Sequence, residues 1–106
     1  MFPVVVERDN LQVINSSIPV LVDFYADWCG PCQMMAPRIE AKVVGRQGQV
    51  CLAKVNVDYA ADLAMDYEVR AVPTVIAFKN GEEVGRFEGD HGDAHLEDFI
   101  NELLTS

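Results

Sequence analysis

PVLVDFYADWCGPCQMMAP, residues 19 to 37, decides how this chain is read. The lead-in PVLVDFYA (19–26) is almost continuously apolar, the pattern of a strand covered on both faces. From Cys32 onward the apolar side chains Met35, Ile39 and Val43 recur at helical spacing, so a helix is expected over Cys32 to Val44. Pro37 falls inside that helix, where a kink is expected. Two thiols, Cys29 and Cys32, therefore sit where a strand turns into a helix. The first turn of a helix has unpaired backbone N–H groups and the positive end of the dipole, so a thiolate there is stabilised and its pKa falls. Two intervening residues leave the sulfurs within bonding reach, which needs Cα atoms within about 7 Å. Gly30 allows a sharp turn, and Pro31 suits a first helical turn, where its missing N–H costs nothing. The pair is expected to cycle between dithiol and disulfide with little rearrangement.

Working outward, the elements alternate. VVV (4–6) reads as a short strand, and Asp9 as the cap of a short helix carrying Leu11 and Ile14. QVCLAKVNVD (49–58) reads as a second long strand and DLAMDYE (62–68) as a short helix. TVIAFK (74–79) and EVGRFE (83–88) read as strands joined through Asn80-Gly81, a strong hairpin signal. Gly92-Asp93 opens a last helix whose Leu96, Phe99, Ile100, Leu103 and Leu104 form one apolar stripe. This order predicts an α/β fold, a mixed central sheet with helices on both faces and a C-terminal hairpin plus helix.

The chain has 106 residues, half of them hydrophobic, so a single domain over residues 1–106 with its own core is expected. With 8 basic and 17 acidic side chains the net charge is −9, which disfavours nucleic acid or an anionic membrane as partner. No run is long and apolar enough for a membrane span, and MFPVVVERDN lacks the pattern of a secretory signal. Three cysteines (Cys29, Cys32 and Cys51) are an odd number and do not suggest a stapled secreted scaffold. Cys51, within a strand, reads as a buried small hydrophobe, with a regulatory or dimer-forming thiol as the alternative. Met34 and Met35 read as core or rim packing. His91 and His95 have the spacing of a second metal-ligand pair, but they lie too far from the cysteines for a finger-like zinc site, so no metal is expected. Haem attachment needs His after the second cysteine, where Gln33 stands.

WCGPC after VDFYAD, then AVPTV, then FKNGE with a following Gly89, resembles the thioredoxin family from about Val20 to the C-terminus. DLAMDYEVRAVPTVIAFKNG looks most like its mitochondrial branch. Cys29, nearest the strand end, is expected to be the more exposed and to attack a substrate disulfide. Cys32 then resolves the mixed disulfide, and the resemblance implies the same order. Asp23 interrupts a covered strand, where an unpaired carboxyl holds its proton tightly. The resemblance makes it the base or acid serving Cys32; a solvated strand edge is the alternative. Lys54 is either a through-space partner of Asp23 or an ordinary surface lysine. An X–Pro bond is ordinarily trans, but the resemblance implies that Pro73 is cis and packed beside the disulfide. It also implies a flat apolar docking patch of Trp28, Gly30, Pro31, Ala71, Val72 and Gly89, with substrate backbone added as a strand. Gln33 and Asp90 depart from the family pattern and are expected to make this face more acidic.

The function implied is reduction of disulfides in other proteins. Electrons would come from NADPH through thioredoxin reductase, since the chain has no nucleotide-binding fingerprint and no bound cofactor is expected. Peroxiredoxins are implied substrates, a monomer the implied state, and the mitochondrial matrix the implied location of a processed mature form, with the cytoplasm as alternative. Two competing readings are a secretory-pathway oxidant or isomerase, which a reduction potential would separate, and a non-catalytic binding module, which would survive Cys29→Ser.

Overall fold

The computed structural model describes residues 4–6 and 12–105. Strand β1 is Val4–Val6, and a 3-10 turn follows at Gln12–Asn15. Strand β2 is Val20–Tyr25, helix α1 Gly30–Gly45, strand β3 Cys51–Asn56 and helix α2 Ala61–Asp66. The hairpin strands are β4, Thr74–Lys79, and β5, Glu82–Glu88, and helix α3 is Asp93–Thr105. Where a helix with Ile14 is expected, the chain makes only the 3-10 turn, and Asp9 and Leu11 lie outside the described residues.

The sheet order is β1-β3-β2-β4-β5. β3 runs parallel to both β1 and β2, while β4 is antiparallel to β2 and to β5. The long central strands are therefore covered on both sides, which explains why β2 and β4 read as near-continuous apolar runs. Alternation still sorts the side chains by face. Val20, Val22 and Phe24 meet Ala53, Val55, Ile76 and α2 residues Leu63 and Ala64 on one face. Leu21, Leu52, Val75 and Ala77 meet Met35, Ile39 and Val43 of α1 and Leu96, Ile100 and Leu103 of α3 on the other. Asp23 has the parity of Leu21 and so belongs to the α1 face.

Helix α1 continues through Pro37 to Gly45, and its buried stripe is Cys32, Met35, Ile39 and Val43. Met34 points outward instead. The α1 and α3 surfaces are joined by charge: Lys42 Nζ lies 3.1 Å from Asp93 and 3.0 Å from Glu97, and Arg46 lies 2.6 Å from Glu97. The hairpin turns at Asn80 and Gly81, both at positive φ (55° and 82°), as a twisted two-residue turn requires. A side chain at Gly81 would also run into Asn15 Oδ1, 2.8 Å from the position of its Cβ. β5 is a sheet edge, and Glu82, Glu83, Val84 and Glu88 on it are exposed.

Phe24 is fully buried at the middle of the sheet. Phe24→Ala leaves a large cavity there and is expected to destabilise the fold by about 3–5 kcal/mol, read from urea denaturation.

Candidate active site

The helix begins two positions earlier than its apolar period suggests, at Gly30, with Pro31 in the first turn and Cys29 as the N-cap. A first turn needs no apolar anchor and tolerates Pro, so the period alone does not mark its start. Cys29 Sγ accepts the backbone N–H of Cys32 at 3.2 Å, and the Cys29 carbonyl accepts that of Gln33 at 3.2 Å. The sulfur thus takes the place usually held by a Ser or Asp oxygen at the positive end of the helix. Cys29 and Cys32 are joined as a disulfide across a Cα–Cα distance of 5.3 Å.

Cys29 is the more exposed of the pair, as expected, but only slightly. Cys29 is only 5 % exposed and Cys32 2 %, so neither sulfur lies open to water. The cover comes from across the fold: Ala26 and partly buried Tyr25, Val57 and Val72 pack against the pair. Exposure belongs to the flanking residues. Trp28 is 71 % exposed, and Gly30, Pro31 and Ala71 are exposed. Trp28 is held by its indole N–H, which donates to Asp58 Oδ2 at 3.0 Å.

The Val72–Pro73 bond is cis. Val72 touches the cysteine cluster, and Gly89, at φ 83°, donates its N–H to the Pro73 carbonyl at 2.8 Å. Val72, distant in sequence, is thereby brought against the disulfide, and Gly89 from the end of β5 is tied to the adjoining Pro73. Asp90, expected to make this face more acidic, does not stand alone. Asp90 is ion-paired with Arg38. Its carboxyl is held below the usual range by the Gly92 N–H, with the Arg38 guanidinium adding to the effect. Gln33 Nε2 turns back to the Asp27 carbonyl at 2.5 Å.

Behind the cysteines lies Asp23, 1 % exposed, with Oδ1 buried and without a hydrogen-bond partner. Burial pushes its pKa up to about 6, against the pull of Lys54 and with a push from Glu40. The strand register sets Asp23 directly beside Lys54. Lys54 acts on Asp23 through space, yet its ion pair is with another group: Nζ lies 3.0 Å from Glu40 Oε2 and 5.1 Å over the Tyr25 ring. Glu40 keeps some contact with water, so a charge pair there avoids the desolvation that a pair at Asp23 would require. A cavity of about 110 Å³ is lined by Asp23, Ala36, Lys54 and Cys32 among others. That is room for more than one water molecule, so the buried carboxyl and the inner cysteine share one small space.

Sequence reasoning misses Glu40 and Arg38. Glu40 has a readable signal: with Cys32 and Ala36 it forms an i, i+4, i+8 row on α1. Cys51 is free and buried on the α2 face, and burial raises its pKa. His91 and His95 meet Phe87 edge-to-face in an aromatic cluster at the start of α3, and among the described residues no three metal-ligating side chains converge. No helix among the described residues is long and apolar enough to cross a membrane.

The thioredoxin family model matches residues 3–102. A probable thioredoxin-2 of Caenorhabditis elegans is 58% identical over 101 residues, covering 95% of this chain and 70% of that protein. The mitochondrial thioredoxin of Mus musculus is 50% identical over 93 residues, covering 88% of this chain but 56% of its own length, so the chain spans little more than half of that relative. Among solved structures, a mutant thioredoxin from Halobacterium salinarum NRC-1 superposes with a TM-score of 0.84 at 39% identity, covering 97% of this chain and 91% of that one. Sheet order, the capped cysteine pair and these likenesses agree: the chain belongs to the thioredoxin family.

Proposed function

We propose that this chain reduces disulfides in other proteins by dithiol–disulfide exchange. The observation that carries the reading is the Cys29–Cys32 pair at the start of α1, with Cys29 Sγ accepting a helix N–H. In the reduced protein that N–H favours the Cys29 thiolate. The thiolate attacks one sulfur of a substrate disulfide, forming a mixed disulfide and releasing the other substrate sulfur as thiolate. Cys32 gives its proton to Asp23 and attacks Cys29 Sγ, which re-forms the internal disulfide and frees the reduced substrate. Two electrons have then left the chain. Thioredoxin reductase, fed by NADPH, returns them.

Trp28, Gly30, Pro31, Ala71, Val72 and Gly89 provide the docking patch, with backbone around Pro73 pairing an extended substrate segment. In this reading Lys54 acts on the Asp23 proton rather than on substrate. Peroxiredoxins suit this donor as substrates, and the reading places a monomer in the mitochondrial matrix; likeness to mitochondrial thioredoxins supports that location over the cytoplasm.

Insulin reduction driven by NADPH and thioredoxin reductase tests the assignment. Cys29→Ser is expected to fall to the uncatalysed background, whereas Cys32→Ser should accumulate a mixed disulfide visible by mass spectrometry. Full activity of Cys29→Ser would refute it.

Asp23 adds a stability signature. In the unfolded chain its carboxyl ionises near 3.8, but in the folded protein only near 6. Between those values the folded state binds more protons, so stability falls as pH rises through the window. At roughly 1.4 kcal/mol per pH unit, the ionised carboxylate costs about 3 kcal/mol at pH 7. Asp23→Asn is therefore expected to gain about 2–3 kcal/mol over wild type at pH 7 and little at pH 4 in urea denaturation, while slowing mixed-disulfide release.

A further inference from the structure

Three groups meet behind the cysteines, and only one ion pair forms among them. Asp23 and Lys54 are register neighbours on β2 and β3, yet Lys54 Nζ turns to Glu40 Oε2 on α1 at 3.0 Å and leaves Asp23 Oδ1 buried without a partner. We propose that Glu40 is a positioning residue for Asp23: by holding the Lys54 ammonium it keeps that charge off the buried carboxyl, which is left as the proton acceptor facing Cys32 across the cavity. Transfer of the Cys32 proton to that carboxyl rests on the function proposed above.

The surroundings leave few other groups to do this. Opposite Asp23 on β4 stands apolar Val75. Tyr25 on β2 lies beneath Lys54, Asp27 in the following turn is exposed, and Cys32 on α1 lines the same cavity. Lys54 is the cation of the cluster, and a like charge on Glu40 adds its own repulsion to Asp23, in the same direction as the sequestration. Glu40 thus acts twice on Asp23, once by repelling its anion and once by occupying its natural counter-ion. The two effects separate experimentally because only the second needs Lys54.

The test is the Asp23 titration midpoint, followed by carboxyl-carbon NMR in the oxidised protein. Glu40→Gln should lower it by about one pH unit, because the freed ammonium turns toward Asp23. Glu40→Asp, which keeps a carboxylate near Lys54, should restore most of the wild-type value, and Lys54→Met should raise the midpoint. The effect of Glu40→Gln should shrink markedly in a Lys54→Met background, since nothing remains to be released. The acid limb of the pH profile for mixed-disulfide release should move with the midpoint. An unmoved midpoint in Glu40→Gln overturns the proposal, and so does an equal shift with and without Lys54. Neither result touches dithiol–disulfide exchange itself, which falls separately if Cys29→Ser keeps full activity. Glu40 retains contact with water, so these variants are expected to fold, and circular dichroism confirms it.

Discussion

A single hydrogen bond organises this molecule's chemistry: the backbone N–H of Cys32 donates to Cys29 Sγ. As a helix cap it satisfies a donor that α1 cannot satisfy internally. It also sets the sulfur at the positive end of the helix dipole, where a thiolate is favoured in general. One bond thus ties Cys29 Sγ to the integrity of the chain's main helix. The helix is in turn fixed by Met35, Ile39 and Val43 against the sheet and by Lys42 and Arg46 against α3. The position of a reactive sulfur is therefore inherited from core packing rather than from a mobile loop.

The sheet supplies what the helix cannot. β2 delivers Asp23 to the rear of the cysteine pair in a strand that otherwise carries only core residues and Tyr25. A carboxyl without a hydrogen-bond partner is a poor choice for folding and a useful one for moving protons near neutral pH. The long apolar contacts of both sheet faces are what make that cost tolerable. Val72, on the approach to β4, packs against the cysteine pair, and Gly89 beyond β5 is tied by its N–H to the neighbouring Pro73 carbonyl.

Much of this is legible in the residues, and the reason differs from element to element. β2, β4 and α3 carry strong periodic or continuous apolar signals, and Asn80-Gly81 specifies its turn by backbone chemistry. The start of α1 is not legible because Gly30 and Pro31 carry no periodic signal, although they satisfy a first turn well. The burial of Cys29 escapes a linear reading because its cover, Val57 and Val72, comes from other parts of the chain. Partner choice is the least legible feature. Lys54 stands beside Asp23 in register yet bonds Glu40, and Asp90 finds Arg38, because the outcome depends on relative desolvation in three dimensions.

The exposed glutamates of β5 have a bearing beyond the site. An open sheet edge offers unpaired backbone groups to any other strand. Glu82, Glu83 and Glu88 stud that edge. Glu83 is paired with Arg86 on the same strand, so charged side chains of both signs line this border. Charged edges of this kind guard against edge-to-edge aggregation.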